Sequence, residues 1–185
     1  MPSRFTAKLN PIATEYLCNL DDLEAARDIF IGERAKVLDD LGTVLLEAAG
    51  EQKQPIASSR RNDTYGTFDV DITAEYVAVR AAEGKKRSSG YSAVVGSFLG
   101  HVGAQALLWF NLRLTPSKHK TLQLGALAAE FGVGAKVLGE GMWLYIRTAQ
   151  QPAANLDLEA LSDDVRRLPG LFAKADPWIA KRWLD

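Results

Sequence analysis

Thr67-Phe68-Asp69-Val70-Asp71-Ile72 alternates polar and apolar side chains along its whole length. Successive side chains of a strand point to opposite faces, so Phe68, Val70 and Ile72 share one face and Thr67, Asp69 and Asp71 the other. The stretch is the clearest strand of the chain, half-buried, and it fixes a sheet with one face turned to a core. The elements around it have to cover that face.

Upstream, residues 51–64 are polar and contain Pro55, which predicts a flexible connecting loop. Before the loop, a helical pattern runs from Asn19 to about Gly50. Asn19 has the side chain of an N-cap, and Asp21, Asp22 and Glu24 lie near the positive end of the helix dipole. Leu23, Phe30, Val37, Leu41, Val44 and Ala48 recur at helical spacing, so one face buries, either against the chain's own sheet or as a seam for a partner or second copy. Asn10-Pro11 opens a shorter turn or helix ahead of it.

Downstream, Tyr76 to Ala81 reads as a second strand, although its alanines leave a helix open, and residues 83–90 turn the chain. Tyr91 to Leu99 and Leu107 to Leu114 read as further strands around a glycine-rich turn at Gly100 and Gly103. Trp109, Phe110, Leu112 and Leu114 make the latter strongly buried. Pro116 and Ser117 mark its exit, and the next helix carries Leu122, Leu124, Leu127, Ala128 and Phe131. Met142 to Ile146 is either a final strand or the continuation of a second helix. From Asp157, Leu158, Leu161, Val165 and Leu168 form one helical face that Pro169-Gly170 stops, and Asp176-Pro177 starts a last short helix. The expectation is a single α+β domain over residues 1–185: a mainly antiparallel sheet of four or five strands, packed against the long N-terminal helix and the helix after Ser117, with a C-terminal helical segment over 155–185.

Composition narrows the function classes. Lys and Arg total 22 against 23 Asp and Glu, so no global field draws the chain to nucleic acid or an anionic membrane. No apolar run approaches the roughly 20 residues of a membrane helix, and the N-terminus lacks the apolar core of a secretory signal. A cytoplasmic protein with no membrane partner is expected. The lone Cys18 excludes an intramolecular disulfide and reads as a small buried apolar side chain. His101 and His119 lack the paired spacing of a zinc site, and there is no Gly-x-Ser-x-Gly elbow for acyl transfer.

What remains is mostly recognition. Arg60-Arg61, Lys85-Lys86-Arg87 and Lys118-His119-Lys120 sit in presumed loops; brought to one edge they would track a phosphate backbone, and apart they are solvated turns. Leu127-Ala128-Ala129-Glu130-Phe131-Gly132-Val133, followed by Val137-Leu138, resembles a DNA-binding helix-turn-helix. The resemblance implies a first helix over 121–131, a turn at Gly132, and a second helix from Ala135 that would present Lys136 to the major groove. Ordinary packing of helix, turn and strand is the other reading, because Gly139 and Gly141 weaken such a second helix. Trp178, Ile179 and Trp183 would anchor a partner or dock onto the parent core.

One constellation suggests catalysis. Asp69 and Asp71 share a face, and Glu83-Gly84-Lys85 ends the next element. This resembles the Asp and Glu-x-Lys core of restriction-endonuclease-like nucleases, which implies Asp71 and Glu83 as ligands of a divalent metal and Lys85 beside the nucleophile. The leading expectation is a non-catalytic binding or adaptor protein without a cofactor, engaging a protein or nucleic-acid partner or a second copy. DNA binding through 121–141 and a metal-dependent nuclease are the alternatives.

Overall fold

The computed structural model describes residues 10–73, 91–100, 102–112, 126, 129, 136–138 and 143–184. Its elements are helices α1 (Pro11–Cys18) and α2 (Leu20–Glu51), strands β1 (Ile56–Asn62), β2 (Thr67–Ile72), β3 (Tyr91–Gly100), β4 (Gly103–Leu112), β5 (Lys136–Leu138) and β6 (Trp143–Pro152), and helix α3 (Leu158–Leu184). The strands form one antiparallel sheet in the order β1-β2-β3-β4-β6-β5. Five of them span six residues or more, and the three-residue β5 closes one edge. The α+β class and the antiparallel sheet are as the sequence pattern requires.

α2 and α3 cover one face of the sheet. Leu38, Leu41, Leu45, Ala48 and Ala49 of α2 are buried, and so are Leu161, Val165, Leu168, Phe172, Ala175 and Ile179 of α3. With Val70, Ile72, Val95, Leu99, Leu108 and Ile146 from the sheet they make one continuous core. Phe68, Val70 and Ile72 share the face toward the helices, as the alternation requires, but the strand is not half-buried, since Thr67 and Asp69 on its other face are each 5% exposed; Gly42 lets α2 approach so closely that an added Cβ would lie 2.4 Å from the Phe68 ring.

Several expectations change. Residues 56–62, expected as part of a loop, are the edge strand β1. Its side chains are almost all exposed, so no apolar alternation marks it; its order comes from backbone pairing with β2. Asn19 does not cap α2: its side chain donates to the Glu15 carbonyl at 2.9 Å and closes α1, whose own cap is Asn10, accepting from the Ala13 N–H at 3.1 Å. Cys18 is exposed rather than buried. β4 begins at Gly103, and the 142–146 ambiguity resolves to the strand β6, which runs on to Pro152. Its register shifts beside Ala106 and Leu107, where the Thr148 hydroxyl donates to the Ala106 carbonyl at 3.2 Å.

The largest correction concerns the C-terminal segment. Pro169 and Pro177 were expected to divide it, yet α3 is continuous through both. A helix-interior proline costs about 3 kcal/mol. The buried row of α3 keeps its period across both prolines, and each large side chain in it is worth about 1.5–3 kcal/mol, so the seam outweighs the breaks. Asp157 starts the helix by accepting from the Ala160 N–H at 3.0 Å, and the Gln151 amide of β6 bonds both backbone groups of Asp157 at 2.7 and 2.8 Å.

The strand expected over 76–81, the turn over 83–90 and the helix after Ser117 lie outside the described residues. Among the described residues no helix is long and apolar enough to cross a membrane.

Two glycine substitutions separate backbone constraint from propensity. Gly103 has φ +133°, and a Cβ there would meet the Gln151 carbonyl oxygen at 2.1 Å. Gly103→Ala is expected to lower unfolding free energy by about 1–3 kcal/mol. Gly32, inside α2 with open space around it, is expected to gain up to about 1 kcal/mol as alanine. Urea denaturation of the two variants checks both signs.

Candidate functional site

The helices cover one face of the sheet, and the strand register assembles the site on the other. Arg60, Asp69, Gly96, Leu107 and Arg147 are paired in succession across β1, β2, β3, β4 and β6, so they form one row on this outer face. Asn62, Thr67, Phe98 and Gln105 form the row on one side, and Ser58, Asp71, Val94 and Trp109 the row on the other. Tyr65, from the turn between β1 and β2, and Val102, from the turn between β3 and β4, close one end. The result is a cleft of about 520 Å³ with apolar and aromatic walls and few polar groups. Cavities of this size and lining are typical of small-ligand sites.

Asp69 is the unusual member. The alternation of β2 predicts a carboxylate in solvent, but Asp69 is only 5% exposed. Leu107 and Val94 on the same face are 7% and 9% exposed, so this face is partly apolar too. The Thr67 hydroxyl donates to Asp69 Oδ2 at 3.4 Å, and Arg60 Nε stands 3.9 Å from that same oxygen. Oδ1 is fully shielded and has no hydrogen-bond partner. A Cβ on Gly96 would lie 3.0 Å from Oδ1 and 2.6 Å from the Phe68 carbonyl oxygen, so the glycine leaves the hollow into which the carboxyl fits. Burial pushes the Asp69 pKa up to about 6; Arg60 and the Thr67 hydroxyl oppose the shift, and Asp71 adds to it.

The other expected residues are dispersed. Asp71 shares the outer face with Asp69, as the alternation requires, but accepts a hydrogen bond from the Ser58 hydroxyl. Its proposed companions Glu83 and Lys85 lie outside the described residues. Among the described residues no three Asp, Glu, His or Cys side chains stand close enough to hold a metal. Arg60 and Arg61 follow each other on β1 and therefore point to opposite faces. Arg60 leans toward Asp69, whereas Arg61 pairs with Asp39 of α2 and, at 2.7 Å, with Asp63. The two arginines do not make one basic patch.

Lys85, Lys86, Arg87, Lys118, His119 and Lys120 lie outside the described residues, as does most of 121–141. Within it, Lys136 to Leu138 is a strand paired with β6, so the second helix expected from Ala135 does not run through Lys136. A β-branched Val137 hydrogen-bonded to a neighbouring strand accounts for the difference. Ile179 is fully buried and Trp178 is half-buried against the core. Both pack α3 onto the core, and the Trp183 side chain is outside the described ones.

No protein family, curated protein or solved structure matches the chain. Its function has to be read from the cleft and the surfaces around it.

The raised Asp69 pKa has a stability consequence whose sign is fixed. The native state holds the Asp69 proton up to about pH 6, while the unfolded chain releases it near its ordinary value of 3.8. Between these values the native state binds more protons, so stability falls as pH rises through this window and stays lower above it. Asp69→Asn removes the titration. The variant is expected to be more stable than wild type at pH 7, by on the order of 2 kcal/mol, and the difference is expected to vanish below about pH 4. Paired chemical denaturation curves across that range measure it.

Proposed function

We propose that the chain is a non-catalytic binding protein whose recognition site is the outer-face cleft. The observation that carries this reading is the Asp69 carboxyl, buried at the cleft with one oxygen unpartnered among apolar and aromatic side chains. Among the described residues Asp69 has Arg60, Thr67 and Asp71 for neighbours and no histidine, cysteine or metal-holding cluster, which favours holding a ligand over turning it over. Free Cys18 fits action in a reducing, cytoplasmic setting.

Titration of the isotope-labelled chain with small ring compounds tests the site. Amide shifts are expected to concentrate at residues 65–69, 96–98 and 105–109. Gln105→Trp, which fills the cleft from β4, is expected to abolish them while leaving the remaining spectrum intact. Shifts scattered over the surface, or unchanged by Gln105→Trp, would remove the cleft as the site.

A second reading, self-association through the N-terminal helices, has its own support. Buried residues of α2 begin at Leu38, and the helix is 32 residues or about 48 Å long, so its first half projects from the core. Along α1 and this half, Ile12 (79% exposed), Tyr16, Leu17, Leu23, Ile29 (68%), Phe30 and Ile31 are all exposed. Two copies packed antiparallel along this stretch bury these side chains against each other in a two-fold arrangement. Sedimentation over a wide concentration range is expected to show a dimer that Ile29→Glu dissociates. A constant mass of 20.2 kDa throughout would remove this reading.

A further inference from the structure

Among the described residues that line the cleft, Arg60 carries the only positive charge, and its side chain is 73% exposed. Its approach to Asp69 is made through Nε at 3.9 Å, beyond hydrogen-bond reach, which leaves the Nη1–Nη2 edge of the fork uncommitted to that carboxyl. Asp69 itself cannot meet a ligand through Oδ1, which is shielded and packed against β3 at Gly96. Asn62, two residues along β1 from Arg60, shares its outer face, and the Asn62 side-chain oxygen already accepts from the Tyr65 N–H at 3.3 Å. The amide N–H groups are the polar atoms that Asn62 has left. This end of the cleft therefore offers donors and a positive charge, while Leu107 and Val102 make the lining beyond it apolar.

Resting on the reading of the cleft as a binding site, we propose that its ligand is a small organic acid, a carboxylate on an apolar body, with the carboxylate accepting from the Nη1–Nη2 edge of Arg60 and the body lying toward Leu107. The planar fork matches a carboxylate through two parallel hydrogen bonds. Arg60 and Leu107 are three strand spacings apart in one row, about 14 Å, a span that an acid of medium chain length bridges from the Arg60 fork. An exposed ion pair is weak by itself, so the apolar body supplies most of the affinity and Arg60 the choice of head group. Asp69 acts without contact: its charge lies beside the guanidinium and repels an arriving anion. No bond is made or broken, and the ligand leaves unchanged.

Four probes test it on the full chain by calorimetry at neutral pH: octanoate, neutral octanol, cationic octylamine and the short acid propionate. Octanoate is expected to bind about fivefold tighter or more than octanol, with octylamine weaker than octanol and propionate below detection. Arg60→Gln, a change at an exposed side chain, is expected to bring octanoate down to the affinity of octanol, and Arg60→Lys to recover only part of the difference. Asp69→Asn removes the repelling charge and is expected to tighten octanoate about threefold, a gain that damage to the fold does not produce. Gln105→Trp, which fills the cleft, is expected to abolish octanoate binding.

Equal affinity for octanoate and octanol, with both lost in Gln105→Trp, would overturn the acid as ligand while leaving the cleft as a binding site. Tightest binding of octylamine, propionate as tight as octanoate, or octanoate affinity unmoved by Arg60→Gln or not raised by Asp69→Asn would overturn it likewise. Octanoate binding that survives Gln105→Trp, or binding of none of the probes, would overturn the binding reading together with the ligand class.

Discussion

The packing of α2 and α3 over one face of the sheet is the constraint from which the remaining architecture follows. Leu38, Leu41 and Leu45 from one helix and Val165, Leu168 and Phe172 from the other close over Val95, Leu108 and Ile146, and each of these side chains is essentially inaccessible. The seam is strong enough to carry α3 through two prolines and close enough to require Gly42 opposite Phe68. Both helices lie on the same side, and the cleft lies on the second face of the sheet.

That second face departs from the usual division between an apolar inside and a polar outside. β3 and β4 carry apolar residues on both faces: Val95 and Leu108 point to the helices, while Val94, Leu107 and Trp109 point away. β2 alone alternates in the ordinary way, and its polar side therefore meets apolar neighbours. Asp69 is caught in that mismatch. A carboxyl that would be unremarkable on a solvated strand is desolvated by β3 and β4, compensated in part by Arg60 and Thr67, and left with one oxygen free of partners. Natural chains tolerate such local inconsistency chiefly where function requires it.

Much of the frame was legible in the residues. The alternation of 67–72, the length of α2, the glycine turn joining β3 to β4 and the class of the fold all follow from patterns that physics links directly to backbone geometry. The parts that were not legible have a common cause, which is that the deciding partner is distant in sequence. β1 has no apolar alternation and is a strand only because β2 pairs with it. Pro169 and Pro177 read as breaks because the seam that overrides them depends on α2. Arg60 and Arg61 read as one patch until the strand places them on opposite faces. Asp69 read as a solvated twin of Asp71; the continuous apolar runs Val94-Val95 and Leu107-Leu108-Trp109 were the signal that the face opposite the helices was also covered, but register alone shows that Asp69 lies beside them.

The burial of one carboxyl against the apolar middle of the sheet is thus the point on which the binding site stands. Its titration can be followed directly, by carbon NMR of the labelled aspartate carboxyl in the ligand-free chain. The desolvation of Asp69 predicts a midpoint raised to about 6. A midpoint at or below the ordinary value of 3.8 would mean that water or a cation already satisfies the side chain, and would contradict the burial on which this account of the site rests.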